Sequence, residues 1–242
     1  MKKKINIPIS VISKKQQISI ITYLESFIKK IKVNSEQSEW ENYYLNSHDE
    51  KYHIYKEKIF KGFINKIDYT VCLDIGCNDG KYSRILAESA KRVYSIDFDS
   101  KCINRNYKIN KELKIKNITS LIVDIVNPSS SIGWLNRERK SFFDRLEQSN
   151  LIVALALMHH IINLNIPLKF LLEVFRKTDK YVIVEYVPFS DPMSQIIFST
   201  RGDDFEYISQ NDFETEIQKD FNILEQENIS SSKRVLYLLE KK

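Results

Sequence analysis

Five short apolar runs rich in β-branched residues punctuate residues 70–187: TVCLDI, RVYSID, SLIVDI, LIVALAL and YVIVEYV. A stretch of helical character separates each from the next, with KYSRILAESA and SKCINRNYKINKEL the clearest. Parallel neighbours need a long crossover, so strict strand–helix alternation predicts a parallel sheet with helices on both faces. The ending breaks the rule. After the helical NDFETEIQKDF come FNILEQ and VLYLLE, joined through SSSKR with no helix between them. Such a link makes a hairpin, so the last strand should run antiparallel.

The first third reads as helical. Ile18, Ile21, Leu24, Phe27, Ile28 and Ile31 share one face at helical spacing, and so do Tyr52, Tyr55, Ile59, Phe63, Ile64 and Ile67, with Asp49 as a cap. The predicted organisation is an α/β domain over residues 49–242 behind an N-terminal helical extension, residues 1–48. Between the two stripes Trp40, Tyr43, Tyr44, His48 and Tyr52 form an aromatic cluster. It reads either as a lid over a ligand or as plain helix packing on the sheet.

Composition narrows the class. At 242 residues, 43% hydrophobic and 29% charged, the chain is one generous domain or one domain with an extension. No apolar run reaches the ~18 residues of a membrane span. Lys2, Lys3 and Lys4 precede a segment broken by Asn6, Pro8 and Ser10, so no signal peptide is expected. Cys72, Cys77 and Cys102 are odd in number and match neither a disulfide framework nor a zinc site. A reducing cytoplasm and no metal are the expectation. A net charge of +5 permits a nucleic-acid partner without requiring one.

The sharpest chemical signal is CLDIGCNDGKYS, residues 72–83. Asp74 ends the first run, and Gly76 and Gly80 bracket a tight turn into a helix. Glycine permits positive φ and close approach of a ligand to backbone. A dinucleotide fingerprint G-x-G-x-x-G would put glycine where Asn78 and Lys81 stand, and G-x-x-x-x-G-K-[ST] is absent too. What remains is D-x-G-x-x-x-G. Asp97 ends the second run, one βαβ step later, where a carboxylate can accept ribose hydroxyls. Asp99 reads as the cap of the next helix. A third acid, Asp124, stands at the end of the third run.

The loop and the three strand-end acids resemble class I S-adenosylmethionine-dependent methyltransferases. The resemblance covers roughly residues 65–242. It implies a Rossmann-like, mostly parallel seven-stranded sheet with the last strand antiparallel, and S-adenosyl-L-methionine as cofactor. It implies that the loop, with Cys77 and Asn78, wraps the amino-acid end of the cofactor. It assigns Asp124 to the adenine amino group, with Phe98 and Ile125 flanking the ring. The family usually has a further glycine at the place of Asn78; asparagine is the next-best residue for left-handed backbone. GWLNRERKSFFDRL, LIVALALMHHI, VIVEYVPFSDPM and SSSKRVLYL resemble bacterial nodulation-type (NoeA-like) methyltransferases. That narrower likeness implies a small-molecule or glycan-related acceptor.

Methyl transfer is an in-line displacement that needs an aligned acceptor and, for a hydroxyl, a base. ALMHHI places His159 and His160 at the end of the fourth run, and Glu185 stands near the end of the fifth. Each histidine reads as base, or as a packing or capping group; Glu185 reads as an orienting or substrate-binding acid, or as a hydrogen-bonded strand-end acid. Asp191, Pro192 and Arg201 fall where acceptor pockets are often shaped, Arg201 as an anion partner or as a surface residue. No [DN]-P-P-[YF] follows the fourth run, and no cysteine stands where a cytosine-C5 nucleophile belongs. The reading is O-methylation of a small molecule or glycan precursor. The alternatives are an RNA methyltransferase, toward which Arg137, Arg139 and Lys140 would gather, and a non-catalytic S-adenosylmethionine-binding protein.

Overall fold

The computed structural model describes residues 12–31, 50–199 and 207–242. Trp40, Tyr43, Tyr44, His48, Asp49 and Arg201 lie outside the described residues. The chain divides into two compact units, residues 1–37 and 38–242. The first contains α1 (Lys14–Lys30), started by a capping box in which Ser13 and Gln16 exchange side-chain and backbone hydrogen bonds.

The second unit is built on a seven-stranded sheet in the order β3-β2-β1-β4-β5-β7-β6. The strands are β1 (Val71–Ile75), β2 (Arg92–Asp97), β3 (Ile118–Ile122), β4 (Leu151–Ala154), β5 (Tyr181–Tyr186), β6 (Phe221–Asn228) and β7 (Val235–Lys241). β1 to β5 are parallel; β7 runs antiparallel between β5 and β6. The hairpin expected from SSSKR thus folds the last strand back into the sheet rather than along its edge.

Among the described residues the α-helices of this unit are α2 (Glu50–Ile64), α3 (Lys81–Ala87), α4 (Ser100–Glu112), α5 (Phe142–Arg145), α6 (Met158–Asn163), α7 (Leu168–Phe175), α8 (Pro192–Phe198) and α9 (Gln210–Ile217). β1, β4 and β5 are buried along their whole length, as strands covered on both faces must be. Successive residues feed opposite cores. Cys72, Leu151 and Leu236 pack with Phe60 and Phe63 of α2, while Leu73, Ile152 and Tyr237 pack with Leu172 and Phe175 of α7. The strand order reverses between β1 and β4, and a ligand crevice forms at the carboxyl ends beside such a switch.

Three local expectations need correction. The apolar run LIVALAL is not one strand: β4 stops at Ala154, Ala156 turns with φ 50, and His159 and His160 sit inside α6. β3 begins earlier and ends at Ile122, leaving Asp124 two residues beyond it. In α2 the buried face runs through Tyr52, Lys56, Phe60, Phe63 and Ile64, and Tyr55 is exposed.

Candidate active site

The D-x-G-x-x-x-G loop is held by the strand next to it. Gly76 and Cys77 donate their backbone N–H groups to the Ile96 carbonyl at 2.9 and 3.0 Å. Gly76, Asn78 and Gly80 all have positive φ, at 70, 50 and 80°. Gly80 starts α3 in the left-handed region, and a Cβ there would lie 2.2 Å from Asn106 Oδ1, so another residue would have to displace the buried Asn106 side chain. Asn78 meets the left-handed requirement without being glycine, and its Oδ1 accepts the Asp79 N–H at 2.7 Å.

Asp97 is aimed by its own neighbours. One carboxylate oxygen accepts the Asn78 N–H and the other the Asp99 N–H, both at 2.9 Å. The carboxylate also lines the cavity, where its oxygens can meet a ligand donor. Asp74 is 2% exposed and takes a 2.5 Å hydrogen bond from Ser83 Oγ, which Ser95 supports in turn. Burial, reinforced by Asp97, pushes the Asp74 carboxyl up to about 6. Burial raises Asp97 as well. Two buried acids with raised proton affinity beside an open space call for donors or a cation from a ligand.

That space is a cavity of about 360 Å³, within the range of small-molecule sites. Asp74, Gly76, Cys77, Asn78, Asp97, Phe98, Asp124 and Ile125 all line it, brought together from the ends of β1, β2 and β3. Gly80 is absent from the lining and acts by shaping the turn. Phe98 is 62% exposed, so its ring presents a free face at the rim. Cys77 is buried and burial raises its thiol well above the usual range, which makes it inert packing.

The two histidines part company. His160 lines the cavity; His159 is buried and lies outside the lining, its ring centroid 4.1 Å from that of His160. Burial, with the Arg234 charge added, lowers His160 to about 4, so the imidazole is neutral at pH 7.

Glu185 also lies outside the lining and is fully buried within a charged cluster. Its Oε2 meets Lys56 Nζ at 2.5 Å. Its Oε1 accepts from Tyr52 Oη at 2.7 Å and from Arg234 Nη1 at 3.3 Å. Arg234 then grips Asp191 with Nε at 2.8 Å and Nη2 at 2.9 Å. Burial alone would raise Glu185, but Lys56 and Arg234 outweigh it and hold it at about 2. The cluster ties α2, β5, the cap of α8 and the start of β7 into one wall. Lys56 carries that wall into the cavity lining, beside His53, Tyr82 and Leu157. Sequence reasoning missed Lys56, Arg234 and His53. The one local signal was a lysine within an otherwise apolar helix face.

A family model described as a methyltransferase domain matches residues 30–216. The chain belongs to the methyltransferase-domain family. It is 28% identical over 227 residues to the nodulation protein NoeA of Rhizobium meliloti (strain 1021), covering 92% of this chain and 47% of that protein. The chain therefore spans about half the length of that curated relative. In fold, this methyltransferase-domain chain resembles the N-methyltransferase NodS of Bradyrhizobium japonicum WM9 in complex with S-adenosyl-L-homocysteine. The TM-score is 0.59 at 13% identity, over 90% of this chain and 97% of NodS. It also resembles magnesium protoporphyrin IX methyltransferase of Synechocystis PCC 6803 with bound S-adenosylmethionine. There the TM-score is 0.55 at 12% identity, over 96% and 99% of the two chains. Among the described residues no helix is long and apolar enough to cross a membrane, and no group of three His, Cys, Asp or Glu residues could hold a metal ion.

Proposed function

We propose that this chain is an S-adenosylmethionine-dependent methyltransferase acting on an oxygen of a small molecule or glycan precursor in the cytoplasm. The observation that carries the cofactor is the convergence of Asp74, Asp97 and Asp124 on one cavity behind a loop of positive-φ residues. The donor set fits the ligand. Asp97 on the lining suits the ribose hydroxyls, Asp124 suits the adenine amino group, and Phe98 and Ile125 offer apolar surfaces to the ring. Asp74, raised by burial, gains from the ammonium of the amino-acid end. The family match and the cofactor-bound NodS and magnesium protoporphyrin IX methyltransferase structures support the same ligand.

Bound S-adenosylmethionine supplies an electrophilic methyl group on a sulfonium. His160, neutral and on the lining, can accept the hydroxyl proton of an acceptor as it attacks. Glu185 positions Lys56 and Arg234 and does not itself take the proton, being held ionised by both cations. The polar lining residues His53, Lys56 and His160 suit a hydroxylated acceptor.

Calorimetric titration with S-adenosylmethionine and S-adenosylhomocysteine tests the cofactor. Micromolar binding is expected, on the order of −8 kcal/mol. Asp97→Ala should weaken it about a hundredfold, the loss expected for charge-assisted hydrogen bonds. Folded wild-type protein that binds neither compound would end the proposal.

A further inference from the structure

The connection from β3 to α5 carries a feature the methyl-transfer reading does not use. Residues 132–139 form a closed hairpin: Ile132 and Arg139 exchange backbone hydrogen bonds at 3.0 and 3.1 Å, and Asn136 N–H returns to the Gly133 carbonyl at 3.0 Å. Its base is anchored by Phe142, 4% exposed, whose N–H reaches the Ser129 carbonyl at 2.8 Å. Its tip is Trp134 and Leu135, 78% and 67% exposed. Leu135 and Asn136 both hold positive φ, at 54 and 56°, and left-handed backbone costs about 1–2 kcal/mol at a residue such as Leu135. A tight, strained turn thus holds two large apolar side chains in water.

The charges around the tip are mostly positive. Arg137, Arg139 and Lys140 are exposed, and among the described residues none of them is in an ion pair. Glu138 is the one acid in residues 132–140, and it folds back against Gly133, where a Cβ would lie 2.3 Å from its own.

A second surface of the same chemistry occurs in α1, taken by itself. At 3.6 residues per turn, Ile20, Ile21, Leu24, Phe27 and Ile28 occupy one side of the helix. Lys15, Lys29 and Lys30 occupy the other, Lys14 flanks the apolar side, and the helix has no buried residue. Its one acid, Glu25, is paired with Lys29.

We propose that the Trp134–Leu135 hairpin is a docking finger for the surface of an anionic phospholipid bilayer. Indole and leucine enter the boundary between headgroups and acyl chains, where an amphipathic ring is favoured, and the three cations meet lipid phosphates. The amphipathic basic helix supplies the same chemistry again, matching the pattern of a segment that lies in the interface without spanning it. A nucleic-acid strand would satisfy the cations and the indole but would have no use for Leu135 or for the apolar side of α1. The hairpin leaves the cavity wall only six residues after Val126, a reach of at most about 20 Å. Docking therefore holds the cavity close to the membrane surface. Phe98, Val126 and Leu164, which line the cavity and are exposed, give its rim an apolar character.

The full chain is tested by co-sedimentation with vesicles of phosphatidylcholine alone and of phosphatidylcholine with phosphatidylglycerol. Binding is expected to the mixed vesicles and to be lost in high salt. Each cation near an anionic surface contributes about fivefold, so the triple variant Arg137→Gln, Arg139→Gln, Lys140→Gln should bind on the order of a hundredfold more weakly. Trp134→Ser with Leu135→Ser should lose binding as well. Trp40→Phe leaves Trp134 as the chain's one tryptophan, and its fluorescence should be quenched by brominated acyl chains. S-adenosylhomocysteine titration of the same samples shows that the variants are folded, and it reports the methyl-transfer reading separately. The assignment falls if wild type ignores the mixed vesicles, if both finger variants bind them like wild type, or if Trp134 escapes quenching. It falls equally if the chain prefers single-stranded RNA and the same variants abolish that preference.

Discussion

The two sides of the cavity use buried carboxylates in opposite ways. At the ends of β1 and β2, Asp74 and Asp97 are buried with hydroxyl and N–H donors as neighbours, and burial pushes both proton affinities up. Behind the lining residue Lys56, Glu185 and Asp191 are buried just as deeply but held by Lys56 and Arg234. The four charges of that wall sum to zero, and each acid is paired with a cation that the chain itself supplies. The first arrangement is incomplete until something arrives. The second is complete already, and its use is to fix where Lys56 and the neighbouring lining sit. Burial of an acid is therefore no guide to function by itself; what decides is whether its partners come with the chain.

Breaking the complete side should cost most. Arg234→Met removes the one cation shared by both acids and leaves Asp191 without its bidentate partner. Removing one partner of a buried pair costs about 3–5 kcal/mol, so a large loss in urea unfolding is expected. A loss below about 1 kcal/mol would mean that the wall relaxes freely and positions nothing.

The incomplete side should respond with the opposite sign. Raising Asp74 from 3.8 to about 6 corresponds to about 3 kcal/mol spent on keeping it ionised in the fold. A raised acid stabilises the fold below its unfolded value, and that contribution is lost as pH rises through 6. Glu185, lowered from 4.5 to about 2, behaves in reverse: its contribution is present above 4.5 and lost as pH falls through 2. His160, lowered from 6.5 to about 4, also loses stability as pH falls, and so masks Asp74 in the wild-type curve. The difference between Asp74→Asn and wild type isolates the effect. It should be near zero at pH 4 and reach about 3 kcal/mol in favour of the variant at pH 7. The same variant should bind S-adenosylhomocysteine at least about tenfold more weakly, a trade of affinity for stability. A variant less stable than wild type at pH 7 would show that the chain's own groups complete Asp74.

This difference between the sides also explains what the sequence made legible. Asp74 and Asp97 each end a strand, and Gly76, Asn78 and Gly80 stand within a few residues of one another, so local spacing encodes that side. The sheet was legible for the same reason, including the antiparallel β7, because one short connection decides it. The charged wall joins Tyr52 to Arg234, 182 residues apart, and Arg234 to Asp191, 43 apart. No spacing rule reaches that far. Glu185 was visible as a strand-end acid, but whether it faces a ligand or two cations depends on helices brought in from elsewhere. The end of β4 was misread because an apolar run is the same in strand and helix, and the turn at Ala156 leaves no glycine to mark it.

The smallest expected effect separates backbone shape from side-chain chemistry on the incomplete side. Asn78 holds φ 50 and spends its side chain on the Asp79 N–H, while its backbone N–H aims Asp97. Asn78→Gly removes the conformational strain and loses one partly buried hydrogen bond. These effects oppose each other at about 1 kcal/mol apiece, so stability should change by less than about 1 kcal/mol. The backbone donor to Asp97 survives, so S-adenosylhomocysteine affinity should stay within about threefold of wild type, a fraction of 1 kcal/mol. Asn78→Ala keeps the strain and loses the bond, and should be destabilised by about 1–2 kcal/mol. If glycine and alanine weakened the ligand equally, the Asn78 side chain would itself belong to the binding set. The loop would then act through its chemistry as well as through its shape.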